Sequence, residues 1–106
     1  MEKIIEIIVT FNDREAAEAI GRVLVERRLA ACAQISGPIK SIYWWKGRME
    51  QTEEWICTLK TRKDLYDMIE KEIRALHPYE IPQIIAMDIS HTLPEYAAWI
   101  RRETDS

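Results

Sequence analysis

The stretch Ser41-Ile42-Tyr43-Trp44-Trp45-Lys46-Gly47-Arg48-Met49-Glu50-Gln51 governs how this chain folds. Lys46-Gly47 is a tight-turn signal, because glycine takes the positive φ that a short hairpin connection needs. The aromatic and β-branched residues before it are strand formers. Upstream, Ala30 to Trp45 reads as extended, interrupted only at Gly37-Pro38, where a missing donor and a permissive glycine mark a bulge or an edge. Downstream, Arg48 to Lys60 alternates. Trp55, Cys57 and Leu59 share one face, while Glu54, Thr58 and Lys60 share the other. The two arms form a β-hairpin of about 13 to 16 residues a side, roughly 40 to 50 Å long, against a usual strand of about five or six residues.

Working outward, Glu2 to Phe11 carries Ile4, Ile5, Ile7, Ile8 and Val9, a short β-branched run apolar on both faces, which predicts a central strand. Asn12-Asp13-Arg14-Glu15 predicts a helix capped at Asn12, with Ala16, Ile20, Val23 and Leu24 at helical spacing to about Arg28. Thr61-Arg62-Lys63-Asp64 predicts a second capped helix with Leu65, Ile69, Ile73 and Leu76 on its apolar stripe. His77-Pro78 ends it, since the residue before proline is pushed out of helical geometry. Ile81 to Ser90 predicts a fourth strand with Ile85, Met87 and Ile89 on one face. Pro94 opens a last helix docked through Tyr96, Trp99 and Ile100. The order β-α-β-β-α-β plus a terminal helix is the split βαβ pattern of an α+β, ferredoxin-like fold, with both main helices on one face of an antiparallel sheet.

The 106 residues make one domain, 1–106, with 15 Lys and Arg against 18 Asp and Glu for a net charge of −3. That balance lacks the basic footprint of a nucleic-acid binder. No apolar run approaches the roughly 18 residues of a membrane span, and Met1-Glu2-Lys3-Ile4 opens no signal sequence, so a cytoplasmic protein is expected. With Trp45 opposite Arg48, Cys57 falls opposite Ser36, about four residues and roughly 13 Å from Cys32. A disulfide needs Cα atoms within about 7 Å, so both thiols are expected free.

The outer strands are too short to cover the long hairpin. Its overhang carries Ile42, Tyr43, Trp44, Trp45 and Met49, with Trp55 further down. Aromatic surface of that extent calls for cover, so another copy of the chain is expected to clasp it through Tyr43, Trp44, Trp45 and Trp55 in a closed ring. The alternative is that the tryptophans fold back onto their own domain.

Ala30-Ala31-Cys32, Tyr43-Trp44-Trp45-Lys46-Gly47, Leu59-Lys60-Thr61 and His77-Pro78-Tyr79-Glu80-Ile81-Pro82 stand in an order and near a spacing that resembles the CutA divalent-cation tolerance proteins, over essentially the whole chain. The resemblance implies a homotrimer similar in architecture to PII-type signalling proteins, and a part in tolerance of copper or other divalent metal ions. It also implies a departure. The cysteine near the end of the first strand and the first of two adjacent histidines before the proline, put forward as copper ligands in some members, look like Val9 and Leu76 here, leaving His77.

A metal site needs converging donors, and the chain has neither a paired CxxC nor HxxH. His77, Cys32 and Glu80 are the candidate ligands, for Cu(II) or another divalent cation weakly held, with Glu50, Glu53 and Glu54 as surface carboxylates. Cys32 reads equally as a small buried hydrophobe, and His77 as a helix-end residue whose ring bonds a carbonyl. Lys60, Tyr79 and Glu80 would line a cleft between subunits where a PII-like sensor holds a small molecule; alternatively Lys60 and Glu80 pair across an interface while Tyr79 caps the core. No nucleophile elbow, Gly-rich phosphate loop or placed carboxylate pair argues for an enzyme, and the strands lack the basic aromatic pattern of an RNA-recognition module.

Overall fold

A computed structural model describes residues 1–105. Its elements run β1 (Ile4–Phe11), α1 (Arg14–Glu26), β2 (Cys32–Trp45), β3 (Arg48–Arg62), a single 3-10 turn (Lys63–Leu65), α2 (Tyr66–Leu76), β4 (Ile84–Asp88) and α3 (Pro94–Glu103). The sheet is antiparallel in the order β2-β3-β1-β4, the ferredoxin-like arrangement.

The alternation of β1 builds the core. Ile5, Ile7, Val9 and Phe11 point to one face, where Ala17, Ile20 and Leu24 of α1 and Ile69 and Ile73 of α2 cover them together with Cys57 and Leu59. The helix α1 lies so close that a Cβ on Gly21 would meet the Ala33 Cβ at 3.0 Å and Cys57 Sγ at 3.3 Å. On the other face, α3 covers only one end, packing Ala97 and Ile100 on Ile4. Ile8, Ile56, Ile85 and Met87 on that side stay half-buried or exposed.

The hairpin is as long as its sequence requires. Arms of 14 and 15 residues stretch the molecule to 45 × 25 × 22 Å. The turn is made by Lys46 and Gly47, both at positive φ (50° and 79°), a geometry that costs glycine little and a side chain on the order of 1 kcal/mol.

Several local expectations are corrected. The cap of α1 is Asp13, not Asn12: the Asp13 carboxylate accepts from the Ala16 N–H at 2.7 Å. Thr61 caps nothing. It is buried at the end of β3 and donates to the Leu29 carbonyl at 2.6 Å, so α2 begins only at Tyr66. Leu76 is exposed: in the last turn of the helix Ile73, not Leu76, faces the core. The fourth strand is shorter than Ile81 to Ser90, pairing with β1 only over Ile84–Asp88.

A bulge between Ser36 and Ile39 shifts the hairpin register by one, so Cys57 faces Ile35 rather than Ser36, while Cys32 faces Lys60. The two thiols are free and lie on opposite faces of the sheet. Burial, with a smaller contribution from Cys32, pushes the Cys57 thiol up to about 12. Cys57 is therefore expected to resist a thiol-labelling reagent in the native protein. Both cysteines are expected to label after denaturation without reductant; fewer than two labelled sites would contradict free thiols, and an intrachain disulfide would leave none.

Candidate functional site

The site forms where β1 stops and the hairpin continues. Phe11 pairs with Trp55 at the last rung of β1, whereas β2 and β3 run on to the Trp45–Arg48 rung, leaving a ledge. The connection from α2 to β4 folds against it. Pro78 forces His77 into extended geometry (φ −75°, ψ 135°), and the His77 N–H closes the last helical turn on the Ile73 carbonyl at 2.7 Å.

The His77 ring is built into the fold. It stacks on Phe11 with centroids 4.5 Å apart and planes 16° apart. The Tyr79 N–H donates to Nδ1 at 3.1 Å, so Nδ1 is an acceptor and the proton sits on Nε2, which donates to the Thr10 carbonyl at 2.7 Å. Both ring nitrogens are engaged. Burial holds the pKa of this imidazole below its ordinary value, opposed in part by the Thr10 carbonyl and the Glu54 charge.

Two residues on, the Tyr79 hydroxyl donates to Glu54 Oε2 at 2.7 Å. Burial first, then Glu54, pushes the phenol above its ordinary range. Glu54 is only 6% exposed, with Oε2 held by Tyr79 and Oε1 left open to space rather than buried without a partner. It lines a cavity of about 650 Å³ bounded also by Thr10, Tyr43, Trp45, Tyr79 and Glu80. At the rim, Lys46 Nζ lies 5.6 Å over the Trp45 ring and 3.6 Å from Glu80 Oε2.

The candidate ligands do not converge. Cys32 sits on the rung of Lys60 and Glu6, half-buried, with Sγ 3.9 Å from the Tyr96 hydroxyl. His77 bonds Thr10, four residues further along β1, about 13 Å away. Glu80 is exposed and paired with Lys46. Among the described residues no three His, Cys, Asp or Glu side chains gather to hold a metal.

Lys60 is likewise separate from Tyr79 and Glu80. It donates to Gln34 Oε1 at 2.7 Å, six residues or about 20 Å along β3 from Glu54. Tyr79 and Glu80 do share the cavity, with Tyr43 and Trp45. Trp44 is 73% exposed, whereas Trp55 packs half-buried against the core of its own chain. Glu54 is the residue that sequence reasoning placed on the surface. Its alternation gave the correct face, but only the return of the α2–β4 connection over that face buries it.

The sequence model of the CutA1 divalent ion tolerance protein family matches residues 5–103. The divalent-cation tolerance protein CutA of Pyrococcus horikoshii is 38% identical over 98 residues, 92% of this chain and 95% of that protein. The crystal structure of the divalent ion tolerance protein CutA1 from Ehrlichia chaffeensis superposes with a TM-score of 0.94 at 32% identity, covering 100% of this chain and 99% of that one. The periplasmic divalent cation tolerance protein CutA of Archaeoglobus fulgidus gives a TM-score of 0.93 at 36% identity, over 96% and 99% of the two chains.

Proposed function

Since the chain belongs to the CutA1 divalent ion tolerance family, we propose that it works in the cytoplasm as a homotrimer that binds divalent metal ions, Cu(II) foremost, and serves the response to and tolerance of those ions by binding rather than catalysis. The observation that carries the assembly is the distribution of apolar surface. Trp44 at 73%, Met49 at 67% and Ile42 at 61% exposure cluster on the overhang, and Ile8, Ile56, Ile85 and Met87 lie on the sheet face that α3 leaves open. A ring of three copies covers both, and it closes the edges of the long arms.

For the metal, the donor set favours weak, oxygen-rich binding. With both nitrogens of His77 occupied and Cys32 distant, Glu80 is the one of the three candidates that is exposed; of the hairpin carboxylates Glu53 is exposed and Glu50 half-buried. Calorimetric titration with Cu(II) tests this. Wild type and His77→Gln are expected to bind alike, and Glu80→Gln several-fold more weakly. Loss of binding in His77→Gln would place the ion on the imidazole, and no heat with wild type would remove the metal reading.

A second reading, a PII-like sensor holding a small molecule in a cleft between subunits, is favoured by the cavity of about 650 Å³, a size typical of small-ligand sites, at the edge of the overhang that a neighbouring copy would cover.

A further inference from the structure

The cavity beside Glu54 has a chemistry that selects one class of ligand. Its walls include the rings of Tyr43, Trp45 and Tyr79, and its charged groups are the carboxylates of Glu54 and Glu80. Among the described residues no Lys, Arg or His lines it. A phosphate or nucleotide entering it would meet two carboxylates, and the ammonium of Lys46 at the rim is already paired with one of them. An aromatic wall with a carboxylate floor is the environment that stabilises an ammonium, by attraction to the ring face and by a charge-assisted hydrogen bond.

Two observations point the same way independently. The first is Glu54, a carboxylate with 6% of its surface exposed, one oxygen held by the Tyr79 hydroxyl and the other open to the cavity it lines. An ammonium that reaches this open oxygen gains a charge-assisted hydrogen bond in a largely sheltered setting. The second is Lys46. The chain's own ammonium rests at the rim over the Trp45 ring and against Glu80, so the cavity mouth already holds a cation of this kind.

We infer that the cavity binds an organic primary ammonium, a short alkyl amine or diamine, with its charged head on Glu54 and its carbon chain against the Tyr43 and Trp45 rings. This rests on the small-molecule reading of the cleft and names the ligand class for it. A divalent ion alone uses the carboxylates but leaves the aromatic walls without a role. In a diamine the second ammonium replaces Lys46 at Glu80.

The test is calorimetry of the full chain at constant ionic strength with 1,4-diaminobutane and its neutral counterpart 1,4-butanediol, with sedimentation on the same sample. The diamine is expected to bind at least about tenfold more tightly than the diol, the scale of one hydrogen bond to a charged group. Glu54→Gln keeps an oxygen for Tyr79 and is expected to abolish the preference. Trp45→Leu weakens it several-fold, and Lys46→Met, which removes the resident cation, tightens binding. Equal affinity for diamine and diol, or an undiminished preference in both Glu54→Gln and Trp45→Leu, overturns the inference. Displacement of the diamine by micromolar Cu(II) in wild type but not in Glu54→Gln would assign the cavity to the metal instead. A trimer without diamine preference sinks this inference alone. A monomer sinks the assembly and the intersubunit-cleft reading with it, and diamine preference in that monomer would leave the amine site standing by itself, because all its lining residues come from one chain.

Discussion

Trp44→Glu is expected to turn a particle sedimenting at three times the 12.5 kDa chain mass into a single chain at micromolar concentration. Trp44 stands near the tip of the arm with 73% of its surface open and contributes nothing to the buried core of its own chain. The substitution therefore leaves the fold intact, with circular dichroism and the thermal transition of the isolated subunit unaltered. An interfacial aromatic anchor is worth about 2 to 4 kcal/mol, and threefold symmetry repeats the loss at three interfaces, roughly 6 to 12 kcal/mol per trimer. At about 1.4 kcal/mol per factor of ten, that exceeds what a micromolar assembly tolerates. A trimer persisting in Trp44→Glu, or a wild-type protein that sediments as one chain, refutes the arrangement.

The second large effect is at His77. Replacing it with alanine removes the stack on Phe11, leaves the buried Thr10 carbonyl without its donor and frees the Tyr79 N–H. Together these are expected to destabilise the subunit by roughly 3 kcal/mol, a large share of a small domain's stability. Denaturant unfolding measures it, and a loss under about 1 kcal/mol would mean that the ring is not a structural element.

The same residue sets a pH response. Burial lowers the pKa of His77 in the folded state, so on acidification the unfolded chain takes up this proton first. Stability from this group is complete above the unfolded value near 6.5 and falls as pH drops from there toward the lowered folded value. In His77→Gln that part of the pH dependence is expected to vanish. An unchanged profile between wild type and His77→Gln would show that the imidazole does not carry it.

Much of the fold was legible because strands and helices announce themselves by period. The run from Ile4 to Val9, the stripe of Ile20 and Leu24, the turn at Lys46-Gly47 and the stop at His77-Pro78 each depend on residues within a few positions of one another, and each stands where its pattern placed it. The misplaced caps at Asn12 and Thr61 are failures of one-residue resolution, since adjacent polar residues offer the backbone similar bonds and packing chooses among them. Cys57 facing Ile35 instead of Ser36 has a related cause. A bulge at Gly37-Pro38 was readable, but not the number of residues it would absorb.

The site was less legible. His77, Tyr79 and Glu80 were singled out from one short motif, and two of them border the cavity, but the motif says nothing of Glu54, 25 residues before Tyr79. The amino-acid order alone determined which elements form, which residues share a face and how far the arms reach, because these follow from local geometry. Only the tertiary structure decided that both His77 nitrogens are spent inside the fold, that Lys60 belongs with Cys32, and that a carboxylate from β3 is roofed by a tyrosine from a distant loop. Such meetings depend on how a chain reversal lands over a sheet, a property that no neighbouring residues in the sequence encode.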